Sequence, residues 1–149
     1  MGCPSIAQAW DYCLMAKLIS EIDPAPTTGQ YARMLLKHGK NGADKCTEAR
    51  LKAMGCYTER AERWSGKGMV KHDLFGCVDW IGIDPKTFDV LCIQATSVGK
   101  MKNRARKIVA LPHWPVLMRT ALRFEVWGWD DSGVCFELDM KGGQTELFL

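Results

Sequence analysis

The chain has 149 residues, 47% of them hydrophobic and 25% charged, with a formal net charge of +3. That length suits one domain with a core of its own and is short for two. No window approaches the roughly 18 apolar residues of a membrane span, and the opening MGCPSIAQAW lacks the basic and apolar regions of a secretory signal. Ile6 stands where a myristoylation signal needs Ser or Thr.

In chain order, the apolar positions Ile6, Trp10, Cys13, Leu14, Ala16 and Leu18 fall at helical spacing and predict a helix from Ser5 to about Ile22. Asp23-Pro24-Ala25-Pro26 then reads as a linker. A second helix is expected from the cap Thr27 or Thr28 to Gly39, and a third from about Ala43 to Met54, with Gly55 at its C-terminal cap. Beyond Trp64 the period changes. Phe75–Ile83 reads as a strand, Asp84-Pro85-Lys86-Thr87 as a turn, and Val90–Thr96 as a second, more apolar strand. Residues 101–111 return to helical spacing. Two more strands follow, Arg123–Trp129 and Val134–Met140, across the turn Asp130-Asp131-Ser132-Gly133. Pro112–Leu122 has no clear pattern. The sum is a mixed α/β domain.

The central hairpin carries the chemistry. A turn centred between Lys86 and Thr87 sets Ile83 against Val90, Ile81 against Cys92, Asp79 against Gln94 and Cys77 against Thr96. A carboxylate and an amide inside an apolar strand pair are costly to bury without partners. A Mg²⁺ ion is one partner, since it takes carboxylate oxygens, water and substrate phosphate; hydrogen bonds to nearby backbone are the other. After this hairpin, VGKMKNRARK holds five basic side chains (Lys100, Lys102, Arg104, Arg106, Lys107) and no acid. It reads as a phosphate footprint or as a solvated helix face. The seven cysteines form no C-x-x-C pair and the three histidines are scattered. Reduced, buried cysteines in a cytoplasmic protein are therefore expected, rather than zinc ligands.

The run DLFGCVDWIGI…VLCIQATS resembles the core of the PD-(D/E)XK nuclease superfamily, nearest to archaeal-type and phage-borne Holliday junction resolvases. The likeness spans residues 43–140. It implies a single restriction-endonuclease-like domain over 27–149, a central mixed β-sheet flanked by helices, with 1–26 as an N-terminal helical extension. It further implies a Mg²⁺- or Mn²⁺-dependent deoxyribonuclease acting on double-stranded or branched DNA; the edge strands near the C-terminus could separately support a homodimer. Asp79 takes the signature Asp, Gln94 stands at the acid position and Thr96 at the Lys position. Glu48 corresponds to the helix acid, with Asp44 one turn earlier as its alternative. Asp73 is a further ligand or supporting group. Lys100 or Lys71 would replace the missing lysine. With Gln94 and Thr96 in place of an acid and a lysine, a catalytically inactive member that binds DNA or a protein stays open beside the enzyme. Of the tryptophans, Trp80 and Trp127 are expected in the core. Base stacking by Trp127 or Trp129 and base chemistry by His113 are the minor alternatives.

Overall fold

The computed structural model describes residues 24–66 and 70–142. The helix expected within residues 5–22 lies outside them.

The described chain opens with helix α1 (Thr28–His38). Thr27 accepts from the Gln30 backbone N–H, and the Gln30 side chain accepts from the Thr27 N–H. This reciprocal capping box fixes the start of the helix. A 3-10 turn, Gly39–Asn41, leads into α2 (Gly42–Ala53). Gly55 then reverses the chain at φ 78°, where a side chain would be strained. Three short strands follow: β1 (Tyr57–Arg60), β2 (Arg63–Ser65) and β3 (Val70–His72). Next come β4 (Trp80–Ile83), β5 (Val90–Ser97), a 3-10 turn, α3 (Met101–Val109) and the single turn α4 (Trp114–Leu117). β6 (Arg123–Trp129) and β7 (Cys135–Asp139) complete it.

Five strands form one mixed sheet in the order β1-β4-β5-β6-β7, and β2 pairs with β3 in a separate ribbon. β4 runs antiparallel to both β1 and β5; β6 runs parallel to β5, and β7 is antiparallel to β6. A parallel pair needs a crossover, and α3 with α4 supplies it. The β4–β5 register is the one the sequence implies, with Ile83 opposite Val90 and Ile81 opposite Cys92.

Side-chain alternation along β5 divides the core into two layers. Cys92 points to the side covered by α3 and α4, with Cys77, Val78, Ala105, Ile108, Trp114, Phe124 and Val126. Leu91 and Ile93 point to the side covered by α2, with Leu51, Trp80 and Trp127. Full burial of aliphatic side chains such as Leu51 and Ile93 contributes about 1.5–3 kcal/mol each. A Cβ added at Gly82 would stand 2.7 Å from Leu51 Cδ2, so glycine lets α2 lie close on β4. α1 reaches the sheet through Tyr31, whose ring tilts against Trp129 at 4.7 Å. Trp129 Nε1 donates to Thr47 Oγ1 at 3.0 Å, tying β6 to α2.

Three expectations need correction. The strand expected from Phe75 begins at Trp80, because Phe75 and Gly76 sit at positive φ in a tight turn closed by a Leu74–Val78 bridge. The short strand β1, on the sheet edge, has no counterpart in the sequence reading. The stretch 112–122 contains the turn of helix α4, which starts after His113 with Pro115 in its first turn. Trp80 and Trp127 are buried as expected; Trp129 is buried too, which removes both Trp127 and Trp129 as exposed stacking surfaces.

Candidate metal centre

The antiparallel trio β1-β4-β5 places the site. The backbone N–H of Ala61 donates to the Asp79 carbonyl at 2.8 Å, carrying the β1–β4 pairing one step past β1. Glu62 is therefore drawn beside the entrance to β4. The turn from Asp73 to Val78 returns the chain from β3 to the same place, with Gly76 N–H on the Asp73 carbonyl at 3.0 Å. Carboxylate oxygens of Glu62, Asp73 and Asp79 thus come within 4.8 Å of one another.

Asp79 is buried and bound on one side only. Its Oδ2 accepts from Gln94 Nε2 and from the Ala95 backbone N–H at 3.0 Å. Its Oδ1 is buried without a hydrogen-bond partner, and so is Asp73 Oδ1, which has only the Lys71 ammonium at 3.9 Å. Burial pushes the Asp79 carboxyl up to about 6; the Ala95 N–H opposes the rise, and the negative charge of Asp44 adds to it. Glu62 is paired with both Arg60 and Lys71. Arg60 also reaches Asp44 Oδ2 at 3.4 Å and lies over the Trp80 ring, whose Nε1 donates to Asp44 Oδ1 at 3.4 Å.

The cluster opens onto a cleft of about 990 Å³ at the end of the sheet where β5 runs beyond β4. Asp44, Glu62, Asp79 and Gln94 lie in it, and Arg33, Lys40, Lys71, Lys100 and Arg104 line it as well. Two buried acids and a half-buried one, two of the three with a bare oxygen, form the kind of oxygen set that hard divalent cations take. This set could hold a metal ion.

The residues singled out from sequence divide clearly. Asp79 and Gln94 meet, though Gln94 turns an amide donor to Asp79, an atom that cannot ligate a cation; the contact positions the carboxylate. Asp73 joins the cluster. Glu48 does not: Lys45 and Lys52 on its own helix hold it, at 3.7 and 2.7 Å, and the Lys52 ammonium keeps its carboxyl below the usual range. Asp44, one turn earlier, faces the cleft instead. Lys71 contacts two of the three acids, whereas Lys100 lies on the cleft wall. Of the basic segment, Lys100 and Arg104 line the cleft, while Lys102, Arg106 and Lys107 are exposed outside it. Thr96 is buried in the cleft lining. His113 sits near the Asp73 turn, its Nε2 2.7 Å from the Phe75 carbonyl, and so serves to brace that turn. Glu62 went unmarked in the sequence. The only trace of it there was an acid flanked by basic residues in YTERAER.

Among the described residues no helix is long and apolar enough to cross a membrane. No family model matches the chain, and neither a curated protein nor a solved structure matches it.

Proposed function

We propose that the chain is a divalent-metal-dependent DNA endonuclease on a restriction-endonuclease-like domain. One observation carries this reading: three acids converge at the end of the β4–β5 hairpin, and two of them keep a buried carboxylate oxygen without a hydrogen-bond partner. The mixed five-stranded sheet with helices against it supports it, being the coarse architecture the sequence resemblance implies.

Glu62, Asp73 and Asp79 would hold Mg²⁺ or Mn²⁺. Such an ion supplies Lewis-acid stabilisation of the charge that develops on a phosphodiester under attack. Gln94 and the Ala95 N–H fix the Asp79 carboxylate, leaving its other oxygen for the ligand. Lys71, half-exposed beside Glu62 and Asp73, takes the role of the lysine absent at Thr96 by donating to a phosphate oxygen. Lys100 and Arg104 hold neighbouring phosphates from the cleft wall.

The test is an assay on linear, nicked and four-way-junction DNA with Mg²⁺ or Mn²⁺. The expected result is cleavage that EDTA stops and that Asp79→Ala lowers by more than roughly a hundredfold, beyond the loss typical of supporting residues, while the melting transition stays cooperative. Undiminished cleavage by Asp79→Ala overturns the assignment. A second reading has its own observation: Arg60 and Lys71 already neutralise Glu62. A protein that binds DNA without cutting it would show salt-sensitive binding unaffected by EDTA or Asp79→Ala, and no nicking.

A further inference from the structure

The walls of the cleft differ in a way that selects among nucleic acids. One wall is α1 with the 3-10 turn after it, where Arg33, Leu36 and Lys40 all line the cleft. Arg33 and Leu36, three residues apart, share one face of α1, and Lys40 follows on the 3-10 turn. Leu36 is 87% exposed, the largest exposure among the large hydrophobic side chains of the described residues. The other wall carries Lys100 and Arg104, from the opposite side of the sheet. Among the described residues none of these four cations forms an ion pair, so their charge is free to meet phosphates.

A duplex presents phosphates outward and keeps its base faces stacked inside, and so has nothing to offer a bare leucine set between two cations. An unpaired strand exposes base faces and phosphates together, and its binding grooves combine cationic tracks with apolar or aromatic contacts to bases. We propose that the cleft takes a single unpaired DNA strand, with phosphates held by Arg33 and Lys40 on one wall and by Lys100 and Arg104 on the other, and a base face packed on Leu36. The inference rests on the DNA-substrate reading above and narrows it. The substrate is single-stranded, or is opened at a flap, fork or junction so that one strand enters alone.

Binding measured in EDTA separates this claim from cleavage. Anisotropy of a labelled oligothymidylate of roughly 15 nucleotides, within the usual single-strand site range, is compared with a hairpin duplex of the same length. The single strand is expected to bind about tenfold tighter at equal salt. Each phosphate contact to a single strand contributes about 0.7 to the slope of log K against log salt, so Arg33→Ala/Lys40→Ala flattens that slope by about 1.4. Leu36→Ser, at an exposed position, weakens single-strand binding severalfold and leaves duplex binding and the melting temperature unchanged. Equal or tighter duplex binding overturns the proposal, and so does indifference of single-strand binding to both variants. Tight single-strand binding without nicking removes the endonuclease reading and keeps the cleft's occupant. Duplex cleavage that ignores all three side chains keeps the endonuclease and overturns the occupant.

Discussion

Two carboxylates lie buried in the central sheet, and their surroundings are opposite. Glu125 on β6 is satisfied at both oxygens: Arg123 Nη2 donates to Oε1 at 2.7 Å and Trp127 Nε1 to Oε2 at 2.8 Å. Asp79 at the mouth of β4 is satisfied at Oδ2 alone. Burying an acceptor without a partner costs about 1–3 kcal/mol, more when it is charged. A sheet that satisfies Glu125 fully can evidently place donors where a carboxylate needs them. At Asp79 two further acids bring a carboxylate oxygen within 4.8 Å instead. Glu125 is what a structural carboxylate looks like here, and Asp79 is what remains when one oxygen is kept for something else.

The contrast between these two carboxylates bears first on Asp79. Its folded pKa lies near 6 against an ordinary 3.8, so its ionisation works against the fold. For an acid raised in this way the cost is absent below about pH 4, grows through pH 6 and is constant above it. Asp79→Asn can still accept from Gln94 and Ala95 and carries no charge. In EDTA at pH 8 it is therefore expected to stabilise the protein by about 3 kcal/mol, an advantage that disappears near pH 4. Urea melts at the two pH values check this; a destabilised variant at pH 8 would mean that Asp79 belongs with Glu125.

Glu125→Ala goes the other way. It leaves Trp127 Nε1 buried and unpaired and should lower stability by about 2 kcal/mol at all pH values between 6 and 8. Metal affinity and cleavage per folded molecule should not change. A loss of metal binding would show that the two sites are coupled.

Glu48→Gln sets the floor of the scale. Glu48 sits in exposed pairs within one helix, worth about 0.3–0.5 kcal/mol. Stability should fall by no more than that and cleavage should be unaltered, whereas Asp44→Asn, facing the cleft, should weaken cleavage.

Much of the hairpin was legible because its determinants are local. Strand alternation and the Asp84-Pro85 turn set the β4–β5 register, and with it the meeting of Asp79 and Gln94. Thr27, one of the two cap candidates, and the glycines after α1 and α2 likewise mark helix ends that the structure keeps. What could not be read depends on contacts distant in sequence. β1 is a short, polar edge strand, and only its pairing with β4 makes it a strand. Glu62 is buried by that pairing and by Arg60 and Lys71, so nothing in its own neighbourhood marks it as a ligand. Phe75 and Gly76 read as strand because one is aromatic and flanked by apolar residues, yet the turn they form is braced by His113, 38 residues away. Glu48 and Asp44 are one helical turn apart on the same helix. The choice between them is made by the lysines beside Glu48 and by the Arg60–Trp80 pair that draws Asp44 inward.

The central claim is that Glu62, Asp73 and Asp79 form one divalent-metal site, and a calorimetric titration of Mn²⁺ into the full chain at pH 7.5 tests it most directly. One saturable site is expected, weakened as the pH falls through 6, lost in Asp79→Asn and Glu62→Gln and retained in Glu125→Gln. No saturable binding, or binding unchanged in Asp79→Asn, would contradict it.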